Sequence, residues 1–218
     1  MPLLFKKLMP TTLLLLMFLS TVTTYGQTNE SIIKKLYLQL GTGLTNYNGY
    51  SAGFDIQGVF KKNWTATLSY HNITMDPKNL PSNYEPGFEL VLIFPFSDAY
   101  PESNMKLYSL SAGKFFELGR KFWFVTEAGV SVVNGDKFTF NSQPVVQDSY
   151  GHTSSNYGSK KENKTALGGM MKADLTWAFS SFAGLGVGVF GNFNSIQSPV
   201  GAELKLIVGW MNRRPKIK

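Results

Sequence analysis

The chain has 218 residues, 43% hydrophobic, 14% aromatic and only 16% charged, with a formal net charge of +7, which excludes a disordered polymer and suits one domain. The absence of cysteine excludes disulfide scaffolds, thiolate metal sites, cysteine nucleophiles and lipid attachment through an N-terminal cysteine. Two histidines leave little for a polyhistidine centre, so neither a metal nor a cofactor is expected.

Residues 1–26 read as an export signal. Lys6 and Lys7 supply a basic start, Leu13 to Leu19 an apolar core, and Thr24 and Gly26 the small residues before a cleavage at Gln27. The apolar run is far shorter than the ~20 residues of a membrane-spanning helix. The rest divides into a folded domain over 27–211 and a basic tail over 212–218, and no later apolar run is long enough for a helical span.

From there the apolar residues recur with a period of two, the signature of strands with one greasy and one polar face. Leu36, Leu38 and Leu40 oppose Tyr37, Gln39 and Gly41. Ala52, Phe54, Ile56 and Phe60 oppose Ser51, Asp55 and Gln57, and Trp64, Ala66, Leu68 and Tyr70 oppose Thr65, Thr67 and Ser69. Tyr108, Leu110 and Ala112 oppose Ser109, Ser111 and Gly113, and Phe122, Phe124, Ala128, Val130 and Val132 oppose Val125, Glu127, Gly129 and Ser131. Leu167, Met171, Ala173, Leu175 and Trp177 oppose Ala166, Lys172, Asp174 and Thr176. Ala183, Leu185, Val187 and Val189 oppose Gly184, Gly186 and Gly188, and Val200, Ala202, Leu204, Leu206, Val208 and Trp210 oppose Gly201, Glu203, Lys205, Ile207 and Gly209. The pattern predicts eight strands.

Aromatic residues flank every short connection. Phe60 and Trp64 bracket Lys61-Lys62-Asn63, Phe115, Phe116, Phe122 and Trp123 bracket Glu117 to Lys121, Trp177, Phe179 and Phe182 bracket Ser180-Ser181, and Trp210 closes the last strand at the same level. Such a row is what an interfacial girdle at a membrane boundary requires, with Phe60, Trp64, Phe116, Phe122, Trp177 and Trp210 as its lipid-facing members. A sparser set, Tyr47, Tyr50, Tyr70, Tyr108 and Phe193, marks the opposite ends. The connections on that side are predicted to be the longer ones: Tyr47 to Gly49, Asn72 to Asn104, Asn134 to Asn163 and Asn194 to Pro199. Asp55, Glu127, Lys172, Asp174, Glu203 and Lys205 all fall on the polar faces. An even strand count, short turns on one side, longer loops on the other and an apolar-out, polar-in arrangement predict an all-β, eight-stranded antiparallel up-and-down transmembrane β-barrel.

In these features the chain resembles the small eight-stranded outer-membrane barrels of the OmpA/OmpX type, over Lys34 to about Met211. The resemblance implies an outer-membrane location with both termini in the periplasm, lipid and lipopolysaccharide as surroundings, delivery by the barrel-assembly machinery, and a monomer. Members usually finish on an aromatic residue, whereas here Trp210 is followed by Met211 and the tail to Lys218.

One apolar run does not fit the eight. Phe88-Glu89-Leu90-Val91-Leu92-Ile93-Phe94 is expected to form a hairpin above the membrane or a flap on its outer leaflet. A ten-stranded barrel that also recruits Lys137-Phe138-Thr139-Phe140 to Val146 is the alternative.

Three functional classes follow. The first is a structural or surface-interaction protein acting through its outer loops, without catalysis. The second is a lipid A-modifying hydrolase: His152-Thr153-Ser154 has the His-x-Ser spacing of the lipid A deacylases, with Glu162 as a third member, but it lies among Ser149, Tyr150, Gly151, Ser155, Asn156, Tyr157 and Gly158, a loop composition. The third is a small pore for apolar solutes. An eight-stranded lumen is just wide enough to be filled by side chains, so its six charged residues are expected to pair with one another, which disfavours conduction. His71 reads as an interfacial or lumenal hydrogen-bonding residue rather than a metal ligand.

Gly184, Gly186 and Gly188 lack the period and following helix of a dinucleotide site and are read as relieving crowding in the lumen. Lys160, Lys161 and Lys164 reach toward lipopolysaccharide or merely solvate a surface beside Glu162, and Arg213, Arg214, Lys216 and Lys218 are candidates for anionic lipid or peptidoglycan-associated partners. Nucleic acid is not an expected partner of an exported chain.

Overall fold

The computed structural model describes residues 32–85, 88–91, 94–97, 101–142, 144–145 and 154–211. The export signal, the basic tail and His152 lie outside the described residues. Among the described residues there are ten strands: β1 (Ile33–Thr45), β2 (Gly49–Phe60), β3 (Trp64–Met75), β4 (Phe88–Val91), β5 (Phe94–Ser97), β6 (Ser103–Glu117), β7 (Phe122–Ser142), β8 (Tyr157–Ala178), β9 (Ala183–Asn194) and β10 (Val200–Trp210). Eight of them close a barrel in the order β1-β10-β9-β8-β7-β6-β3-β2, every neighbour antiparallel. Closure leaves no strand edge within the wall, the condition for a sheet to sit in lipid.

β4 and β5 pair only with each other, Phe88 opposite Ser97 and Val91 opposite Phe94. They form a separate hairpin on the long connection between β3 and β6, and the ten-stranded alternative is set aside. Lys137–Phe140 belong to β7 itself, paired with Glu162 to Ser159 of β8.

The period of two translates directly into facing. Leu36, Leu38, Leu40, Phe54, Ile56, Leu68, Leu110, Val130, Leu175, Leu185, Val187, Leu204 and Leu206 are exposed on the outside of the wall, while Gln39, Asp55, Gln57, Thr67, Ser69, Glu127, Lys172, Asp174, Glu203 and Lys205 are buried inside it. An exterior of this kind is inverted with respect to a water-soluble barrel, whose outward face would be polar. Trp64, Phe116, Phe122, Trp177 and Trp210 lie on the outside at the end that carries the short turns, and Phe60 is half-buried there. Phe122 stacks on Trp177 at a centroid distance of 6.2 Å. Phe115 and Trp123, expected in the same girdle, instead point into the lumen and are 2% and 1% exposed, because neighbours along a strand face opposite sides.

Two connections depart from expectation. The link between β1 and β2 is a tight turn of Asn46, Tyr47 and Asn48, with Tyr47 and Asn48 at φ 58° and 50°, rather than one of the longer loops. A left-handed pair at a hairpin tip matches the twist of the flanking strands, and asparagine tolerates it well. Most of Asn134 to Asn163, expected as a loop, is strand. β7 pairs with β6 only as far as Gly135, and β8 with β9 only from Gly168, so 136–142 and 157–167 continue as a two-stranded ladder beyond the rim.

The rim is tied together. Asp76 N donates to Tyr47 O at 2.8 Å, Gln197 Nε2 donates to Asp76 O at 2.9 Å, and the ring of Tyr84 stacks on Tyr157 and meets Phe140 edge-on. At the opposite end Ser180 Oγ accepts from Ala183 N at 2.8 Å and closes the turn between β8 and β9.

Candidate functional site

The lumen is layered. At the end with the short turns Tyr37, Val59, Phe115, Trp123, Val125, Ala178, Ile207 and Met211 form one buried apolar cluster. At the hairpin end Ile73, Met75, Met105, Leu107, Val133, Met170, Phe190 and Ile196 form a second. The polar residues lie between these two plugs, cut off from water on both sides. A polar group in such a place must find its partners within the protein.

The charged side chains among them do so in two groups. In the first, Glu127 accepts from Gln57 Nε2 at 2.8 Å, Thr67 Oγ1 at 2.7 Å and Ser111 Oγ at 2.8 Å, while Gln39 Nε2 donates to Gln57 Oε1 at 2.7 Å. Glu127 is therefore held by neutral donors from three strands. In the second, Lys172 lies 2.8 Å from Asp55 Oδ2 and donates to Ser69 Oγ at 3.0 Å. Lys205 lies 2.7 Å from Asp174 Oδ1, 3.1 Å from Asp55 Oδ2 and 3.8 Å from Glu203 Oε2. Glu203 Oε1 accepts from Ser51 Oγ at 2.9 Å and faces His71 Nδ1 at 3.1 Å, and the other ring nitrogen of His71 faces Asp55 Oδ1 at 3.1 Å.

The six charged residues singled out in the sequence are thus all buried in one layer, but their pairing follows the three-dimensional level rather than the chain. Lys172 does not take Asp174, its neighbour on β8, nor Glu127, directly opposite it on β7, and instead crosses to β2. Lys205 meets Asp174 and Asp55, whereas Glu127, one of the acids open to it on sequence grounds, belongs to the other group. His71 is a member that sequence reading left outside the network. Its parity on β3, with Thr67 and Ser69 facing inward, was the available signal.

Glycines make the room. A Cβ on Gly188 would overlap the Asp174 carboxylate and approach Lys205 Cε to 3.1 Å, so the absence of a side chain on β9 is what admits this ion pair. At Gly186 the nearest atoms to such a Cβ would lie at 3.3 Å, a tight but adjustable fit.

The hydrolase constellation is not assembled among the described residues. Glu162 lies on β8 in the ladder beyond the rim, 3.0 Å from Lys160 Nζ and 3.2 Å from Lys164 Nζ. Hydrogen bonds from Lys160 and Lys164 hold its carboxyl below the usual range. Ser154 is half-buried outside any strand. Lys161 reaches the buried Asp136 at 2.9 Å. Among the described residues no group of three His, Cys, Asp or Glu side chains has the arrangement to hold a metal ion.

A closed eight-stranded antiparallel barrel, apolar outside and polar within, defines the class: a β-barrel of the outer-membrane type. No protein-family model matches the chain, and no curated protein matches it. Among solved structures it is similar to the N-terminal β-barrel domain of Pseudomonas aeruginosa OprF, at 12% identity and a TM-score of 0.49, covering 81% of this chain and 98% of that one. It is also similar to Ail, the attachment invasion locus protein of Yersinia pestis, at 11% identity and a TM-score of 0.45, covering 80% and 95%. Neisserial surface protein A is similar at 11% identity and a TM-score of 0.44, covering 81% and 94%.

Proposed function

We propose that the chain is an integral outer-membrane protein without catalytic activity, whose role is structural or is exerted by the segments it displays outside the cell. The observation that carries this reading is the contrast between an exterior of exposed Leu, Val, Ile and Phe side chains and a charged lumen stoppered at both ends. Only lipid solvates such an exterior, and the two plugs speak against a conducting pore. The displayed segments are the β7–β8 ladder beyond the rim and the excursion between β3 and β6 that carries β4 and β5. Outer-membrane lipid and lipopolysaccharide are the surroundings, the assembly machinery is the partner during biogenesis, and the protein acts as a monomer with both termini in the periplasm. No catalytic step is placed on His152, Ser154 and Glu162, since two lysines already hold the carboxylate.

The test is topological and is made simple by the lack of native cysteine. A cysteine at Ser155 on intact cells is labelled by a membrane-impermeant maleimide, and a cysteine at Lys62, in the short turn between β2 and β3, is labelled only after lysis. The reverse pattern overturns the orientation. Step conductance in planar bilayers would restore the pore, and a lipid A mass spectrum that changes with the gene would restore the enzyme.

A further inference from the structure

The strand that closes the barrel is β10, paired along one side with β1. Its inward residues do not stop at that neighbour. Glu203 passes over β1 to Ser51 on β2 and His71 on β3, and Lys205 passes over it to Asp55 on β2. The passage is open because β1 presents glycine there. Gly41 and Gly43 stand opposite Lys205 and Glu203, and a Cβ on Gly41 would lie 3.2 Å from Glu203 Oε2 and 3.5 Å from Lys205 Cγ. The seam between the first and last strands is therefore bridged from above by side chains as well as by its own ladder.

His71 is the central piece of that bridge. Both ring nitrogens face carboxylate oxygens at 3.1 Å, Nδ1 toward Glu203 on β10 and Nε2 toward Asp55 on β2. A neutral imidazole has one N–H and one lone pair, so it satisfies only one of these contacts and sets a lone pair against a carboxylate in the other. An imidazolium donates to both. The count of charge agrees. The connected group holds three carboxylates, Asp55, Asp174 and Glu203, against the ammonium groups of Lys172 and Lys205, which leaves one negative charge in excess within the group; Glu127, in the same layer, stands apart on its neutral donors. One proton on His71 makes the group neutral. Among the described residues the other neighbours of the ring bring no further charge: the Phe190 ring of β9 lies against it at a centroid distance of 5.7 Å, and its directly paired neighbours on β2 and β6 are Gly53 and Leu107.

We propose that the Asp55–His71–Glu203 bridge is a proton-dependent latch over the closing seam of the barrel. With the proton in place, β10 is tied to β2 and β3 across β1. When the proton leaves to bulk water, one of the two arms becomes repulsive, and the seam is held by its backbone ladder alone. The latch is engaged at low and neutral pH and released as pH rises.

The experiment uses the full mature chain folded in lipid bilayers, carrying His152→Asn so that His71 is the only histidine, and a second chain that also carries His71→Gln. Glutamine offers one donor and one acceptor and so reproduces the released state. Unfolding rates in fixed urea are measured from about pH 6 to about pH 10. At the acid end the His71 chain unfolds about tenfold to a hundredfold more slowly than the His71→Gln chain, the equivalent of one charge-assisted hydrogen bond. Toward the alkaline end the two curves converge. Every other group titrates in both chains, so curves that coincide or stay parallel overturn the latch. If His71→Gln does not fold, the ring nitrogens of the His71 chain decide by NMR. Two protonated nitrogens at neutral pH, with one proton lost as the unfolding rate climbs, are expected, and a bare nitrogen at neutral pH overturns the proposal.

Discussion

The lumen and the ladder beyond the rim are built from the same chemistry and live by different rules. Lys172–Asp55 and Lys160–Glu162 are both lysine–carboxylate pairs, at 2.8 and 3.0 Å. The first pair is 2% exposed on both sides, between two apolar plugs, and each member holds further partners. The second is 74% and 41% exposed, with water available to either group. Removing one member of a buried pair strands a charge where nothing else solvates it, whereas an exposed pair loses only what water has already screened. The same contact on a list of ion pairs is therefore structural in one region and close to incidental in the other.

The largest expected effect is in the lumen. Lys205→Met removes the one ion-pair partner of Asp174 among the described residues, while Asp55 keeps Lys172. A loss of roughly 3–5 kcal/mol is expected for breaking a buried pair, read as a lower urea midpoint. Adding Asp174→Leu should return part of that loss, and adding Glu127→Gln, in the other group, should return none. Fully additive losses for Lys205 and Asp174 would mean that these groups are separately hydrated, and the two-region contrast would collapse.

Next comes the lipid face. Leu185→Arg sets a cation against hydrocarbon at a cost of about 2–4 kcal/mol. The folded, heat-modifiable band in gel electrophoresis should weaken or vanish. An undiminished band would show that the facing of β9 is wrong.

A finer comparison lies within the lumenal glycines of β9. Gly188→Ala places a methyl group on the Asp174 carboxylate, while Gly186→Ala meets its neighbours at ordinary, slightly tight distances. The first should lower the urea midpoint clearly and the second only slightly. Equal effects would indicate that the ion pair shifts freely.

The smallest effect belongs to the ladder. Glu162→Gln should leave the urea midpoint unchanged, and lowering the pH through the titration of this carboxyl, which removes its attraction for Lys160 and Lys164, should do no more. A measurable loss would mean that the ladder supports the barrel rather than merely standing on it.

Much of this architecture is legible along the chain because a strand in a barrel wall has two solvents, one on each face, and alternation records both. The eight wall strands, their facing, the polarity of the lumen and the aromatic girdle all follow from that local rule. It reads less well where the rule stops applying. Near the rim, Ser159 to Asn163 are polar on both faces and so resemble a loop, although they are paired with Asp136 to Phe140, whose alternation of Phe138 and Phe140 with Lys137 and Thr139 lies beyond the wall. At the girdle, a run of adjacent aromatics hides the fact that Phe115 and Trp123 face inward.

The sequence by itself determined which residues enter the lumen, since side-chain direction is a property of each strand. Only the tertiary structure decided which of them meet. Closing a sheet into a barrel tilts and staggers its strands, so the level at which a side chain enters the interior depends on the shear of the whole wall rather than on distance along the chain. That is why Lys205 finds Asp55, 150 residues away, why His71 comes to lie between two carboxylates from strands on either side of β1, and why Lys172 passes over the acid beside it. Pairing in the lumen is settled by the closure, a global constraint that no local pattern carries.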